Sequence, residues 1–431
     1  MKIKEIRCEN FRRFKDFQIS FQEDMTVLVA KNGAGKSSIL DAISISLGAF
    51  FTRLPNVKGL SQKNSDFLVY KDGKRPPYSR ISCSTTDGIS WDRTERRDKA
   101  KNTSSQIPQA RGLREINELA DSYIDAINKS DEVTLPTIAY FGTGRGVFEV
   151  PQRKRGFRKE FRRFDAYDSA LDSKANFKNF IEYFYALEDR ELQLQKEKRS
   201  FDVEIPELSA IRRAIEIFMP EFSNLRAALP AGIMLDWKRG GTSYPLRIEQ
   251  LSDGYRIALV MVMDIASRMA EANPHASNPL DGPGIVLIDE VELHLHPGWQ
   301  QRILLDLRRT FPNIQFVVST HSAHAISTVR VEQLRVIDWI DESPTIVKIP
   351  FSEGAAVDDV LDDILGVERR PPDVPIVKKL KEYSGLVESG KWNDQVAIEL
   401  KREIDAWGKG YETEIDRLEM EVELQKLESK V

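Results

Sequence analysis

The chain has 431 residues, 41% hydrophobic and 30% charged, with a net charge of −4. That length holds a large core in two or three domains, and the composition is that of a globular protein. The charge excludes a bulk attraction to nucleic acid, and two cysteines, Cys8 and Cys83, exclude a disulfide framework and fit a reducing compartment. The start MKIKEIRCENFRRF is too charged for a secretory signal, and none is expected. No apolar run is long enough to span a bilayer, so a cytoplasmic location without membrane contact is expected.

KIKEIRC, QISF (18–21) and MTVLVA (25–30) are short runs of strand type. The third feeds into the glycine-rich AKNGAGKSS, and KSSILDAISISLGAF after it has helical spacing. RISCSTTDGISWDRT (80–94) predicts a hairpin turning at Asp87-Gly88, and the polar stretch 98–115 predicts a loop. LPTIAYFG (135–142) reads as a buried strand. From Pro151 to Ser200 the chain is first strongly basic, then helical and highly charged, and no strand is expected before IMLDWKRGGTSYPLRI (233–248), a hairpin around Gly240-Gly241. A helix opens at Ser252-Asp253. GIVLIDE (284–290) and IQFVVSTHS (314–322) are buried strands separated by the helix PGWQQRILLDLRRTF, and QLRVIDWI and TIVKIP are two further strand-type runs. Residues 352–431 look helical, with a break at Arg370-Pro371-Pro372 and an apolar stripe of Tyr411, Ile415, Leu418 and Val422 in the last helix. The alternation predicts an α/β fold with a helical insert and a helical C-terminal region. The expected division is 1–150, an N-terminal lobe; 151–232, the helical insert; 233–350, the rest of the α/β part; and 351–431, the helical region for oligomer or partner contact.

Residues 30–37 read A-K-N-G-A-G-K-S between a strand and a helix, which is the setting of a phosphate-binding loop. Gly33 and Gly35 let the backbone wrap a phosphate closely, Lys36 supplies a point charge, and the Ser37 hydroxyl can ligate Mg²⁺. Asn32, Ala34 and Ser38 complete the loop and the first turn, and the helix start adds its positive end. The usual first glycine is Ala30. In IVLIDE, four apolar residues place Asp289 and Glu290 at the carboxyl end of a buried strand, where ligands of parallel sheets sit. Asp289 would hold Mg²⁺ through water, and Glu290 would act as general base on the attacking water. His321 ends the next strand; it is either structural or a donor to the γ-phosphate. Glu292, His294 and His296 alternate as metal ligands on a strand might, or belong to a contact loop between subunits.

NFRRF, KNGAGKSS, LSDGYR, LIDEVELHLHP and STHS, in this order over about residues 1–350, resemble the ABC-type ATPases of the RecF, SMC, Rad50 and OLD group. The resemblance implies an ATPase head of mixed sheet and flanking helices that uses ATP and Mg²⁺. It implies that two heads pair face to face, so that Ser252 and the N–H of Gly254 touch the nucleotide held at Lys36 of a partner chain. It also implies that Arg12 and Arg13 lie near the adenine and phosphates, and that Glu290 and His321 are catalytic. Asp253 stands where many relatives have glycine. The glutamine that in relatives follows a mid-domain strand and touches Mg²⁺ is not evident; AYFGTGR (139–145) occupies that region.

The insert is too short for an SMC or Rad50 coiled coil, and the C-terminal region lacks a strand-borne acidic nuclease cluster. The short head, YFGTGR and the GVERRPP tail resemble the ATPase subunit of Septu-type anti-phage systems, including those attached to retrons. That implies an ATP-driven regulator, homodimeric or higher, of a separate HNH-type nuclease, with a retron reverse transcriptase and its DNA–RNA hybrid as further partners. The alternative is a RecF-like DNA-binding ATPase of repair. The basic run Arg153 to Arg163, with Phe157, Phe161 and Phe164, is either a nucleic-acid contact or an amphipathic helix whose phenylalanines face the core.

Overall fold

A computed structural model describes residues 1–146, 161–173, 178–228 and 232–428. Contacts divide the chain into two compact units, Met1–Val360 and Leu361–Val431. Thirteen strands occur among the described residues, all in the first unit. They are β1 (Ile3–Phe11), β2 (Phe14–Ser20), β3 (Met25–Ala30), β4 (Tyr78–Thr85), β5 (Ser90–Arg96), β6 (Thr137–Phe141), β7 (Phe222–Ala227), β8 (Ile233–Arg239), β9 (Thr242–Arg247), β10 (Gly284–Ile288), β11 (Ile314–Thr320), β12 (Leu334–Ile340) and β13 (Ser343–Val347).

The central sheet has the order β13-β12-β3-β11-β10-β6. Its strands are parallel except β13, which returns antiparallel along β12. β3, β6, β10 and β11 are buried at every residue, as expected of strands covered on both faces. A second, antiparallel sheet has the order β2-β1-β4-β5, and the third is the meander β7-β8-β9. Gln315 ties the first two sheets together. Its side chain accepts from the N–H of Ile3 (2.7 Å) and donates to the carbonyls of Ile3 (2.7 Å) and Gln22 (2.8 Å). Cys8 and Cys83 are buried in β1 and β4, and burial pushes both thiols up to about 12.

The helix Lys36–Arg53 is buried on nearly every face, packing against β4 of one sheet and against β3, β10 and β11 of the other. Its apolar run ILDAISISLGAFF is therefore core all round rather than amphipathic. Both expected hairpins form, with the pairs Ser84↔Ser90 and Arg239↔Thr242 flanking their turns. The mixed sheet, its flanking helices and the helical C-terminal region are those expected from the sequence.

Two stretches differ from expectation. Residues 98–115 contain a helical turn, Lys101–Ser105, and the start of the helix Arg114–Asn128. Their polar pattern hides an anchor: the Asp92 carboxylate accepts from the N–H groups of Arg111 (2.5 Å) and Gly112 (3.2 Å). A strand, β7, precedes residue 233; its register shifts between Ser223 and Arg226, which breaks the alternation a sequence reading needs. The helices Lys178–Lys198 and Pro206–Phe218 form within the insert, where Arg212 bridges Glu188 and Glu191 at 2.8 Å each.

The second unit is built from the helices Pro375–Glu388, Gln395–Gly408 and Thr413–Glu428. Ile415, Leu418 and Val422 meet Leu380, Tyr383, Ala397 and Ile404 in its core. Tyr411 does not belong to this stripe: it lies before the last helix and is 95% exposed. The Arg370 fork grips both oxygens of Glu412 (2.8 and 2.7 Å). No helix among the described residues is long and apolar enough to cross a membrane.

Candidate active site

Four parallel strands end at one edge of the central sheet. The register pairs Val29 with Thr320, Ile288 with Val318, and Ile288 with Phe141. Ala30, His321, Asp289 and Gly142 therefore emerge at this edge, one from each strand. The glycine-rich loop, the acid pair, the histidine and the GTGR turn are thus brought together although the chain separates them widely.

The loop is held from outside. Gly33 has φ 75° and Gly35 φ 111°, both in the region that glycine enters freely. A Cβ on Gly35 would stand 2.6 Å from the Phe14 ring. The Arg13 guanidinium donates to the Gly33 carbonyl and lies 4.4 Å from the Trp339 ring centre, while the Trp339 indole donates to the Ala34 carbonyl (3.0 Å). Asn32, Gly33 and Ser37 remain exposed, Ala34 is buried and Ser38 is half-buried. Gly35→Ala is expected to lower stability by about 1–3 kcal/mol, since strain and overlap fall on one residue. Its denaturant midpoint checks this, read beside Gly88→Ala at a hairpin turn where a Cβ meets nothing within 4 Å.

Lys36 is buried, and its ammonium donates to the Ala30 carbonyl (2.9 Å). Burial lowers its pKa, while the charges of Asp289, Glu290 and Glu292 oppose that shift. Asp289 is also buried. The Ser319 hydroxyl donates to it (2.5 Å) and accepts from the Glu290 N–H (2.8 Å). Glu290 is half-buried with φ 49°, a left-handed backbone uncommon for glutamate. Glu292 accepts from the Thr320 hydroxyl (2.7 Å) and the His321 N–H (2.6 Å). It braces the turn that carries His321. His321 is half-buried, and burial together with the Lys36 charge lowers its pKa, which favours the neutral imidazole.

His294 is exposed, and His296 accepts from the Gly298 N–H (3.3 Å), capping the turn of helix Pro297–Gln300. Among the described residues no group of three His, Cys, Asp or Glu is placed to hold a metal. Alternation in the sequence carried the metal reading of Glu292, His294 and His296, and the loop geometry removes it.

Arg12 is more engaged than the sequence shows. Its guanidinium bridges Asp41 (2.6 Å) and Asp66 (3.0 Å), and Tyr140 donates to the other oxygen of Asp41 (2.8 Å). This network borders a cavity of about 290 Å³, lined also by Ser44, Lys63 and Leu171.

Ser252 is the N-cap of the helix Asp253–Ala272, is exposed and makes no side-chain capping bond. Its helix start therefore leaves the first N–H groups without a side-chain cap. A Cβ on Gly254 would stand 2.5 Å from the His294 carbonyl, so only glycine lets this helix start meet the loop after Glu290. Tyr255 packs edge-on against Trp299 (5.3 Å) and Phe222 (5.5 Å), which makes one block of the two motifs. Asp253 pairs with Arg256 (2.6 Å).

Residues 153–160 of the basic run lie outside the described residues. Of its described end, Phe161 lies against Tyr183 (5.1 Å), and Arg163 donates to the carbonyls of Ala272 (2.7 Å) and Val133 (2.5 Å). The side chains that sequence reasoning missed are Ser319, Asp41, Trp339 and Arg145. Only Arg145 carried a local signal, the turn-forming GTG before it.

The model of the family described as AAA domain matches residues 5–222, just over half of the chain. The chain belongs to this family. It is an ABC-type ATPase of the RecF, SMC and Rad50 group. The ATPase is similar to the Retron Ec83 probable ATPase of Escherichia coli, with 29% identity over 98% of this chain and 87% of that protein. It is similar to the Retron Vc95 probable ATPase of Vibrio cholerae serotype O1 biovar El Tor, with 26% identity over 93% and 86%. The Septu protein PtuA of Bacillus mycoides (strain KBAB4) is 29% identical over 38% of the ATPase and 23% of its own length.

Proposed function

We propose that this chain is a cytoplasmic ATP-binding and ATP-hydrolysing regulator of a bacterial anti-phage complex, working as a pair of heads that controls a separate HNH-type nuclease. The observation that carries the reading is the pairing of an assembled loop-and-acid edge with an exposed, uncapped Ser252 helix start. The near-full-length similarity to proteins named as retron ATPases supports the anti-phage setting, and the similarity to Septu PtuA supports the nuclease partner.

Lys36, the loop N–H groups and the start of its helix would hold the ATP phosphates. Ser37 and Asp289 fit a magnesium ion, since a hydroxyl and a carboxylate are hard oxygen ligands and the sheet register brings their elements to one edge. Bound there, the ion would neutralise charge on the outer phosphate oxygens. Glu290 takes the proton of the attacking water, and neutral His321 donates to the γ-phosphate. Ser252 and the Gly254 N–H of a second copy close over that phosphate. Arg12 and Arg13 border the loop, Arg12 beside the cavity and Arg13 by bracing the Gly33 carbonyl. A retron reverse transcriptase and its DNA–RNA hybrid are further partners in this reading, with the basic sequence from Arg153 as the candidate contact for nucleic acid.

Sedimentation velocity tests the pairing. The Glu290→Gln protein is expected to sediment as a monomer without nucleotide and as a dimer with ATP and Mg²⁺. Adding Ser252→Arg is expected to keep ATP binding and abolish the dimer. A dimer that ATP does not influence, or that survives Ser252→Arg, overturns the trans arrangement. Tight DNA binding by the isolated chain, weakening steeply with salt, would replace the nuclease-regulator reading with a RecF-like DNA clamp.

A further inference from the structure

Arg145 is a cation held where water does not solvate it. It is 1% exposed, and its guanidinium donates to three main-chain carbonyls: Gly142 (3.0 Å), Asp289 (2.5 Å) and Glu290 (2.5 Å). Burial pushes its pKa down to about 10, with the charges of Asp289, Glu292 and Glu290 opposing, so it stays protonated at neutral pH.

The choice of carbonyls is informative. The Asp289 carbonyl belongs to the peptide plane before the Glu290 α-carbon, and the Glu290 carbonyl to the plane after it. A planar fork that binds both fixes both planes, and with them the direction of the Cα–Cβ bond between. Glu290 also has φ 49°, a left-handed backbone uncommon for glutamate. The Glu290 N–H is fixed from the other side by Ser319 (2.8 Å). We infer that Arg145 is the positioning residue for Glu290, setting where the carboxylate stands by holding the two peptides that flank its α-carbon. Arg145 itself is carried by a turn wedged against Ser173: the Gly142 N–H donates to the Ser173 carbonyl (3.1 Å), and a Cβ on Gly142 would stand 2.6 Å from that oxygen.

The inference rests on Glu290 as the general base, and the test separates the two. ATP turnover and ATP affinity are measured on the full chain for Arg145→Met, Arg145→Lys, Glu290→Gln and the double variant Arg145→Met/Glu290→Gln. Arg145→Met is expected to lower kcat about 100-fold while ATP Kd changes less than about 3-fold, the mark of a misplaced group rather than a lost binding contact. Arg145→Lys, which restores charge and some donors, is expected to recover kcat at least about 5-fold. The double variant is expected to turn over no more slowly than Glu290→Gln alone, within about 2-fold. Should Arg145→Met fail to fold, Arg145→Gln, which keeps two donors without the charge, carries the same comparison. Wild-type kcat in Arg145→Met beside a stalled Glu290→Gln overturns the inference, as does a parallel loss of kcat and affinity or a further slowing in the double variant. Normal turnover in Glu290→Gln overturns the base assignment instead.

Discussion

Glu290→Gln is expected to bind ATP as tightly as the parent chain, within about 3-fold, and to hydrolyse it about 10²–10⁴ times more slowly, the range a general base contributes. The amide keeps the size and hydrogen-bonding reach of the carboxylate and removes only its basicity. The Glu290 backbone is held through the Ser319 hydroxyl and the Arg145 fork, and neither contact uses the side chain that changes. The substitution therefore isolates proton abstraction from folding and binding. Phosphate release gives the rate, and titration calorimetry with ATP and Mg²⁺ gives the affinity. A rate within 3-fold of the parent would remove Glu290 from the chemistry and pass the role to another acid on the same edge.

Lys36→Ala is expected to weaken ATP binding by at least about 100-fold, roughly 2.7 kcal/mol, which is in the range of a lost charge-assisted contact. Two effects add. The phosphates lose their nearest fixed cation, and Asp289, Glu290 and Glu292 lose the positive charge that offsets their repulsion of the ligand. Lys36 is buried and its ammonium is held by the Ala30 carbonyl, so the charge is fixed at the loop. The burial that lowers its pKa also weakens its hold on the proton, so affinity is expected to fall above neutral pH earlier than for an exposed lysine. Equilibrium binding of a fluorescent ATP analogue from pH 7 to pH 10 checks both statements. Undiminished affinity in Lys36→Ala would leave the glycine-rich loop as a backbone turn without a phosphate role.

The part of this site that the sequence disclosed is the part written in contiguous residues. AKNGAGKSS, IVLIDE and STHS each combine a strand with the residues at its end, and a parallel sheet assembles strand ends without further information. What escaped depends on partners far along the chain. Ser319 looks like an ordinary strand residue until β11 sets it beside Asp289. Arg145 looks like a loop arginine until β6 pairs with β10. Glu292 and the two histidines after it had a ligand-like spacing, yet Glu292 is taken by the turn that carries His321. The same limit explains the fold differences. β7 owes its existence to β8, and Tyr411 continues an apolar period past a helix boundary that only the three-helix packing sets.

The close fit of Gly254 against the His294 carbonyl has a consequence for kinetics. If Ser252 closes the partner's site, the element that caps one nucleotide is bolted to the acid loop that cleaves another. Neither head can then relax alone after a cleavage event, and the paired catalysts must fire with mutual influence. Mixing active protein with Glu290→Gln subunits in rising proportion would reveal this as a rate that departs from simple dilution of the active copies.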